Sequence, residues 1–362
     1  MNDRPDIIVV GGGAAGIAAA VNAARAGCPT LLLDRRPAAG GTGGFSGLTT
    51  LCGLYDDEGH FINEGFARDF AEAVGEGAPV RMGRVWVLRY RPQRFQQQSA
   101  RLLAETPGLQ TRWNAPLTEA VVADGRIVQL NGFPVRAVID CSGTAEVARA
   151  VNAECLATDE TTQAPAVLFP LHNVTGKLDS LAVVAQVLLP LTRAGFPPLN
   201  FQPGFEPGVF IVKFTGRPDQ VPALIGFLQK NVPGFEKCRT PATEFVPAQR
   251  AGRMIVGKYL LTGADVLGGG RFPDAAARCA WPVEQWDAAG AARFRYLPAG
   301  THYEIPARSL QAAKIDNLFM AGKTISADVD AIASARVMGC CLATGAAAGN
   351  LAAKHVESSL IT

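Results

Sequence analysis

A glycine-rich run near the N-terminus has the residue types and the spacing of a phosphate-binding turn. Gly11-Gly12-Gly13-Ala14-Ala15-Gly16 fits the pattern G-x-G-x-x-G. In such a turn the first glycine permits a tight bend, the second lets the backbone approach a pyrophosphate, and the third lets a helix pack closely on the preceding strand. The helix then presents free N–H groups and its positive end to the phosphates. The predicted dinucleotide contacts here are Gly11, Gly13, Ala14, Ala15 and Gly16.

An acidic residue, Asp34, follows this turn at the distance expected for a ribose-binding carboxylate. It lies 34 − 16 = 18 residues after the last glycine of the motif, where a carboxylate accepts hydrogen bonds from ribose hydroxyls. Its negative charge disfavours the 2′-phosphate of NADP, although Arg35 and Arg36 come next. We therefore include Asp34 and Arg35 in the predicted nucleotide site.

Two short buried strands and a helix are needed to position these residues. Ile7 to Val10 and Thr30 to Leu33 are aliphatic runs typical of strands that are buried on both faces of a parallel sheet. The alanine-rich segment from Ala14 to Ala26 ends at Gly27, which predicts a helix. The order strand, turn, helix, strand predicts an α/β, Rossmann-like domain.

The segment after Asp34 distinguishes FAD from NAD as the dinucleotide. Residues 40–47 contain five glycines, and no next strand–helix unit of a dehydrogenase begins there. A glycine-rich backbone can lie flat against a ring system or a phosphate. The alternative is a flexible surface loop. The predicted cofactor contacts in this segment are Gly41, Thr42, Gly43 and Gly44.

Two later strands and a long helix complete the predicted cofactor domain. Arg136 to Ser142 is a buried strand that leads to Gly143, and Asn317 to Gly322 is another. A helix rich in small residues is predicted from about Ser334 to Lys354, where small side chains permit close packing. Gly143 and Gly322 join the predicted cofactor site.

These motifs resemble the glutathione-reductase-like FAD fold. The C-terminal motifs are similar to one family of FAD-dependent oxidoreductases, distant relatives of the fumarate reductase flavoprotein. The resemblance covers most of the chain and implies FAD as the cofactor. It also implies that Arg336, Val337 and Met338 lie beside the pyrimidine side of the flavin. The runs that carry the resemblance are Ile8 to Gly16, Val138 to Thr144, Tyr303 to Leu310, Asn317 to Lys323 and Ser334 to Met338.

The last helix has a predicted electrostatic role in that family. A flavin accepts a hydride at N5, and negative charge then builds near N1 and the C2 carbonyl. The positive end of the helix, together with Arg336, is predicted to stabilise that charge. The alternative for Arg336 is a surface salt bridge with Asp328 or Asp330.

Four other side chains are candidates for chemistry on the substrate. His302 and Tyr303 are candidate proton donors or acceptors. Arg250 and Arg308 are candidates for binding a carboxylate through two parallel hydrogen bonds. For each of the four, a purely structural role is the alternative.

The length of 362 residues predicts about two domains. We predict a discontinuous FAD-binding domain, residues 1–155 and 296–362, and an inserted α+β substrate domain, residues 156–295. Within the insert, the Pro- and Gly-rich segment from Phe196 to Gly208 is predicted to be a loop. No second glycine motif follows a buried strand, so we predict no NAD(P)H domain. The two-cysteine motif of disulfide reductases is also absent from the sequence.

Composition argues against several other classes of function. The formal net charge is +2 and the basic residues are scattered, so no nucleic-acid partner is predicted. The eight cysteines form no C-x-x-C pair and only four histidines occur, so no metal site is predicted. No uninterrupted apolar run reaches the length of about 18 residues that a transmembrane helix needs. A cytoplasmic location follows as the prediction.

The sequence therefore predicts an FAD-dependent oxidoreductase. The expected reaction is hydride transfer from a small or medium-sized organic substrate, expected to be apolar, to flavin N5. Oxygen, a quinone or a partner protein would reoxidise the enzyme. One alternative is a flavin-dependent reductase or monooxygenase fed by a separate reductase. Another is a non-enzymatic, FAD-stabilised accessory protein, since no histidine stands near Trp281, where relatives often place one.

Overall fold

The structure is a computed structural model that describes residues 4–158, 163–175, 187–242, 244–287 and 291–361. The strands in these residues are β1 (Ile7–Val10), β2 (Thr30–Leu33), β3 (Thr50–Cys52), β4 (Val80–Met82), β5 (Val85–Arg89), β6 (Leu109–Arg112), β7 (Ala120–Ala123), β8 (Arg126–Leu130), β9 (Phe133–Pro134), β10 (Ala137–Asp140), β11 (Cys155–Ala157), β12 (Val167–Leu171), β13 (Leu199–Pro203), β14 (Phe210–Phe214), β15 (Arg253–Ile255), β16 (Ala275–Cys279), β17 (Val283–Trp286), β18 (Ala292–Arg295), β19 (Tyr303–Pro306) and β20 (Leu318–Met320). The α-helices are α1 (Ala14–Arg25), α2 (Gly41–Phe45), α3 (Phe66–Val74), α4 (Pro92–Glu105), α5 (Glu146–Ala150), α6 (Leu189–Arg193), α7 (Val221–Asn231), α8 (Gly263–Leu267), α9 (Val329–Ala335) and α10 (Met338–Ile361).

A five-stranded parallel sheet, in the order β20-β10-β1-β2-β6, forms the core of the mixed α/β fold. Every residue of β1, β2 and β10 is buried, as a strand covered on both faces requires. The predicted strands at Ile7 and Thr30 are confirmed with the bounds given above. Because the strands are parallel, the residues that follow them meet at one edge of the sheet. Those residues include Gly11, Asp34, Cys141 and Ala321.

The last helix packs on the first so closely that small residues are required between them. A Cβ added to Gly345 of α10 would lie 2.2 Å from the carbonyl oxygen of Ala15 in α1, and one added to Gly349 would lie 2.4 Å from that of Ala19. These contacts press α10 against the start of α1, beside the carboxyl edge of the sheet. The prediction of a C-terminal helix rich in small residues is confirmed.

The structure corrects the predicted start of that helix. Instead of one helix from Ser334, two helices, α9 and α10, meet at Arg336 and Val337 and bend by 96°. Among the described residues, no single helix has both the length and the apolar composition needed to cross a membrane. Only the bent pair α9–α10 reaches them, and only when the two are taken together.

A smaller antiparallel sheet, in the order β12-β14-β13, lies next to the cofactor half of the molecule. Val212 and Phe214 of β14 are buried against Leu224 and Leu228 of α7. Strand β13 lies within the segment that was predicted to be a loop, and that prediction was wrong. Its full pairing with β14 satisfies the backbone in spite of the prolines and glycines nearby.

The remaining sheets are small and antiparallel. Two of them contribute to the site described below: the three-stranded sheet β3-β5-β4 and the hairpin of β17 and β18. The others are the sheet β7-β8-β9 and the pairs β11-β15 and β16-β19.

Candidate active site

A cavity of about 860 Å³ runs from the carboxyl edge of the parallel sheet to the sheet β12-β14-β13. Its lining comes from both halves of the chain. The predicted cofactor residues in the lining are Gly11, Gly13, Ala14, Ala15, Asp34, Arg35, Gly41, Thr42, Gly43, Gly143, Gly322, Arg336, Val337 and Met338.

Two predicted cofactor glycines, Gly16 and Gly44, do not line the cavity and instead permit close packing. A Cβ added to Gly16 would lie 1.7 Å from the Gly11 carbonyl oxygen, far closer than van der Waals contact allows. A Cβ added to Gly44 would lie 2.7 Å from the Gln96 side chain. Gly16 thus has the helix–strand packing role that the fingerprint gives to its third glycine.

The first two glycines of the fingerprint differ in what surrounds them. Gly11 has a φ of +106°, and a Cβ there would lie 2.5 Å from the Cys141 carbonyl oxygen. Gly13 caps α1 with a φ of −82°, and the nearest atom to an added Cβ is the Gly41 Cα, 3.9 Å away. The turn at Gly11 therefore needs glycine for its own geometry. At Gly13 the space belongs to the cavity, where a ligand could approach the backbone.

Asp34 is held at the cavity wall by the glycine turn itself. Its carboxylate accepts hydrogen bonds from the backbone N–H groups of Gly12 and, at 2.7 Å, Arg36. Only 9% of Asp34 is exposed. The neighbouring Arg35 points to solvent, with its side chain 60% exposed and paired with Glu146 at 3.3 Å. Asp34 is thus preorganised to accept hydrogen bonds, whereas Arg35 is constrained only by a surface ion pair.

Arg336 lies at the bend between α9 and α10 and reaches into the cavity. Its Nη2 donates to Gln163 Oε1 at 3.0 Å and to the Glu284 carbonyl oxygen at 3.1 Å. Among the described residues its buried Nε has no hydrogen-bond partner. Burial lowers the pKa of this guanidinium, and the Glu284 carboxylate offsets part of that effect.

In the structure Arg336 does not form the alternative surface salt bridge with Asp328 or Asp330. Asp328 instead caps α9, where it accepts from the Ala331 N–H at 2.7 Å. Asp330 pairs with Arg295 at 2.6 Å. Both acidic side chains are therefore engaged elsewhere.

A second group of charged side chains lines the cavity at its far part, and we call it the Trp286 chamber (Lys213, Arg250, Glu284, Trp286 and Arg336). Lys213 Nζ lies 3.6 Å from the centre of the Trp286 ring, and the Arg250 guanidinium carbon lies 4.4 Å from it. Arg250 also donates to the Ala164 carbonyl oxygen. The indole N–H of Trp286 donates to Glu284 at 2.5 Å. Cation–π contact thus orients both cations on one aromatic ring.

The charges of the Trp286 chamber alter one another's pKa. Burial and the neighbouring Arg250 lower the pKa of Lys213 to about 8. Burial and the neighbouring Arg336 lower the pKa of Arg250 to about 10. Burial alone would raise the pKa of Glu284, but Arg336 and Lys213 hold it below its usual value. Lys213, Arg250 and Glu284 are therefore predominantly charged at neutral pH, and the Arg336 guanidinium carries the positive charge that arginine keeps in proteins.

Lys323 and Cys52 also line the cavity. Lys323 Nζ donates to the Gln249 carbonyl oxygen at 3.1 Å, and burial lowers its pKa to about 8. The Lys323 side chain packs against Gly143, since a Cβ added to Gly143 would lie 2.8 Å from the Lys323 Cε. Burial raises the pKa of Cys52 to about 12, so this thiol stays protonated.

Of the four residues predicted to act on the substrate, the structure brings only Arg250 into the cavity lining. Tyr303 is fully buried, with its hydroxyl 2.8 Å from Ser334 Oγ. Arg308 lies at the surface, bonded to Asp274 at 3.1 Å. His302 accepts a hydrogen bond from Arg271 through its carbonyl oxygen. The contacts of Tyr303 and Arg308 are those of fold-stabilising side chains, and the contact of His302 is made by its backbone.

The sequence matches the model of the FAD dependent oxidoreductase family over residues 6–207 and 209–361. The chain belongs to this family. The resemblance predicted from its motifs is thereby confirmed, with FAD as the cofactor. A comparison with curated proteins gives no match.

Solved structures share the fold of this FAD-dependent oxidoreductase at low sequence identity. One is a geranylgeranyl bacteriochlorophyll reductase-like protein from Thermoplasma acidophilum, with a TM-score of 0.54, 15% identity, and coverage of 98% of this chain and 79% of that one. Another is GidA from Aquifex aeolicus, with a TM-score of 0.55, 12% identity, and coverage of 98% of this chain and 64% of that one. At these identities the likeness concerns the fold.

The lining of the cavity fits the cofactor of the family. The open space at Gly13 lets a phosphate approach the first turn of α1, where N–H groups have no partner within the helix. Asp34 is placed for a ribose at the end of β2. The buried Arg336 Nε, without a partner in the described residues, is a donor that the cofactor or a substrate can satisfy.

Sequence reasoning missed Lys213, Glu284, Trp286 and Lys323. The first three lie on β14 and β17, and no local motif marks them. They meet at the cavity only because two separate sheets pack around it. Lys323 did carry a signal, since it directly follows the predicted cofactor residue Gly322.

Proposed function

We propose that this FAD-dependent oxidoreductase oxidises a small or medium-sized organic substrate by hydride transfer to flavin N5. The observation that carries the proposal is the continuity of the cavity, which joins the glycine turn at Gly11 to the Trp286 chamber. Bound FAD supplies the hydride acceptor. The chain must then hold a substrate beside it, and the Trp286 chamber offers the polar groups to do so. Oxygen, a quinone or a partner protein reoxidises the enzyme in this proposal.

The cofactor contacts in the proposal follow from the lining of the cavity. The turn at Gly11 and Gly13 with the start of α1 holds the pyrophosphate, and Asp34 holds a ribose. Lys323 adds a positive charge beside Gly143. The bend between α9 and α10 directs Arg336 and the first N–H groups of α10 at the flavin. The proposed contacts are Gly11, Gly13, Ala14, Ala15, Asp34, Arg35, Gly41, Thr42, Gly43, Gly143, Gly322, Lys323, Arg336, Val337 and Met338.

We assign the two predicted domains on the same basis. Residues 1–155 and 296–362 form the FAD-binding domain in this proposal, since β1, β10 and β20 share the parallel sheet. Residues 156–295 form the substrate domain, since β14 and β17 supply Lys213, Glu284 and Trp286 to the cavity. Arg250, from the same segment, is the proposed substrate-binding residue among those predicted. His302, Tyr303 and Arg308 have no part in the proposed chemistry.

An absorption spectrum of the purified protein, followed by acid precipitation, tests the cofactor assignment. We expect an oxidised-flavin spectrum and free FAD in the supernatant. Colour that stays with the precipitate would mean covalent attachment. A colourless protein that takes up no added FAD would refute the proposed function.

Anaerobic stopped-flow reduction then tests the direction of electron flow. We expect that NADH and NADPH reduce the flavin slowly, because the proposal includes no nicotinamide site, and that an organic donor reduces it rapidly. Rapid reduction by a separate reductase, without turnover of any organic donor, would favour a reductase or monooxygenase instead. A flavin that no small reductant reaches would favour an accessory protein.

A further inference from the structure

The Trp286 chamber carries an excess of positive charge. Lys213, Arg250 and Arg336 contribute three positive charges, and Glu284 contributes one negative charge. Among the residues that the structure describes, no carboxylate oxygen lies within 4.0 Å of a side-chain nitrogen of the three cations. Buried charges are ordinarily paired, since an unpaired one loses hydration without compensation. The chamber is therefore built for a negative group that the protein itself does not supply.

The mutual effects of the charges support this reading. For Lys213, repulsion by Arg250 lowers the pKa more than attraction by Glu284 raises it. For Arg250, repulsion by Arg336 likewise outweighs attraction by Glu284. An anion bound between Lys213 and Arg250 would relieve this repulsion.

The arrangement of the two cations points to one shared carboxylate. Both lie within 4.4 Å of the centre of the same Trp286 ring, both line the cavity, and the charge of Arg250 acts on the pKa of Lys213. An arginine can bind a carboxylate through planar N–H donors, and a lysine can bind the same group as a point charge. Arg250 donates to one protein acceptor, the Ala164 carbonyl oxygen, whereas Arg336 donates to two, Gln163 and the Glu284 carbonyl oxygen.

The rim of the cavity near the chamber carries large exposed apolar side chains, and the Arg84 guanidinium carbon lies 4.2 Å from the centre of the Tyr296 ring. Phe294 and Tyr296 line the cavity with 43% and 37% of their surfaces exposed, and their ring centroids are 6.1 Å apart. Met82, on the sheet β3-β5-β4, also lines it and is 40% exposed. Large exposed apolar side chains that border a polar pocket are typical of a binding site for an amphipathic ligand.

We infer that the substrate is an amphipathic monocarboxylate, with its carboxylate bound by Lys213 and Arg250 and its apolar part directed along Phe294 and Tyr296. This inference rests on the proposed function and specifies its substrate class. It keeps the carboxylate-binding role predicted for Arg250 and adds a charged group to the expected apolar substrate.

Calorimetric titration of the FAD-loaded protein with three probes tests the inference. Phenylacetate carries both the charge and an apolar body, phenylacetamide lacks the charge, and acetate lacks the apolar body. We expect phenylacetate to bind at least tenfold more tightly than either of the others. Lys213→Met should weaken phenylacetate binding at least tenfold and leave phenylacetamide binding unchanged, whereas Lys213→Arg should retain most of the affinity.

Lys230→Met is the matched control, since Lys230 is exposed on α7, and it should bind phenylacetate like the wild type. FAD content and thermal unfolding of each variant report whether it is folded. Equal affinity of the loaded wild-type protein for phenylacetate and phenylacetamide, or no binding of either, overturns the inference. So does a folded Lys213→Met protein that binds phenylacetate as tightly as the wild type. The readout is binding, so failure of the proposed function can be told apart from failure of the inference. If only the proposed function fails, the protein takes up no FAD but still binds phenylacetate.

Discussion

Gly13 and Gly16 are both fingerprint glycines, but their surroundings predict opposite effects of a methyl group. An alanine at Gly13 has room in the protein and an allowed φ, and it would enter the space assigned to a phosphate. We expect Gly13→Ala to weaken FAD binding at least about tenfold, or about 1.4 kcal/mol. The free energy of unfolding of the apo protein should change by no more than about 0.5 kcal/mol. Fluorescence titration with FAD and denaturation of the apo protein measure the two effects.

The control for this prediction is Gly16→Ala. Its Cβ would overlap the Gly11 carbonyl oxygen, so we expect it to destabilise the apo protein itself. If Gly13→Ala bound FAD as tightly as the wild type, the pyrophosphate would not lie at this turn.

Lys213 makes the predicted binding of carboxylates depend on pH. The groups that act on it are Arg250, Glu284, Cys52 and Arg336, and together with burial they lower its pKa to about 8. Below that pH the ammonium is charged and attracts a carboxylate. As the pH rises above it, affinity for phenylacetate should fall by about tenfold per pH unit while the complex keeps the proton. Calorimetry from pH 7 to pH 9, below the pKa of about 10 of Arg250, measures this dependence.

The matched variant for the pH dependence is Lys213→Arg. Arginine keeps its charge throughout this range, so its affinity for phenylacetate should stay nearly constant. An equally steep fall in the variant would assign the titration to another group.

Sequence alone could predict the nucleotide end of the candidate site but not the substrate end. Gly11, Gly13 and Asp34 belong to one local motif whose spacing is set by a strand, a turn and a helix. Lys213 and Trp286 lie on two separate sheets and come together only through the tertiary packing of those sheets. The sequence around a lysine or tryptophan on a strand does not show which other segment that residue contacts in the fold.

Among the elements, the contact between α1 and α10 leaves the least room for change. We expect Gly345→Ala to destabilise the protein by about 3 kcal/mol, since the added Cβ would lie 2.2 Å from the Ala15 carbonyl oxygen. Denaturant unfolding of the variant measures the loss.

Gly226→Ala on α7 is the matched control. A Cβ there meets no atom within 4 Å, so the greater helix propensity of alanine should stabilise the protein by up to about 1 kcal/mol. We attribute the loss of stability in Gly345→Ala to the close contact between the helices and not to the removal of a glycine as such. A similar loss of stability in Gly226→Ala would contradict this.

An element could be predicted from the sequence when its signal lay within its own residues. β1 and β2 were predicted with correct bounds because continuous aliphatic runs form strands buried on both faces. β13 was taken for a loop because of its prolines and glycines, and its pairing with β14 overrides that local preference. The bend at Arg336 had no breaker residue to reveal it, since neither proline nor glycine lies between α9 and α10.

At the scale of the whole molecule, buried thiols should limit stability at alkaline pH. Burial raises the pKa of Cys52 and Cys341 to about 12 and that of Cys238 to about 11, whereas the ordinary value is 9.0. The unfolded chain therefore loses these protons first, and stability that is full below pH 9 is lost as the pH rises further. Lys213 and Lys323, with lowered pKa values, oppose this trend.

We expect the free energy of unfolding of the apo protein to fall between pH 9 and pH 11, because the thiols outnumber the two lysines. Urea denaturation across this range measures the change. Cys341→Ala should make the decline shallower. A stability that rises with pH throughout would mean that the lysines dominate.

The position of β20 in the parallel sheet has a consequence for how the enzyme is made. β20 pairs with β10, and the bend before α10 borders the same cavity, so the nucleotide pocket draws on both ends of the chain. A ribosome must therefore synthesise the chain through β20 and the bend at Arg336 before the complete pocket can form. Parallel pairing over so long a separation is slow, and the nascent N-terminal half waits with its apolar strand edge uncovered. Cofactor capture would then be a late checkpoint of biosynthesis, one that truncated chains cannot pass.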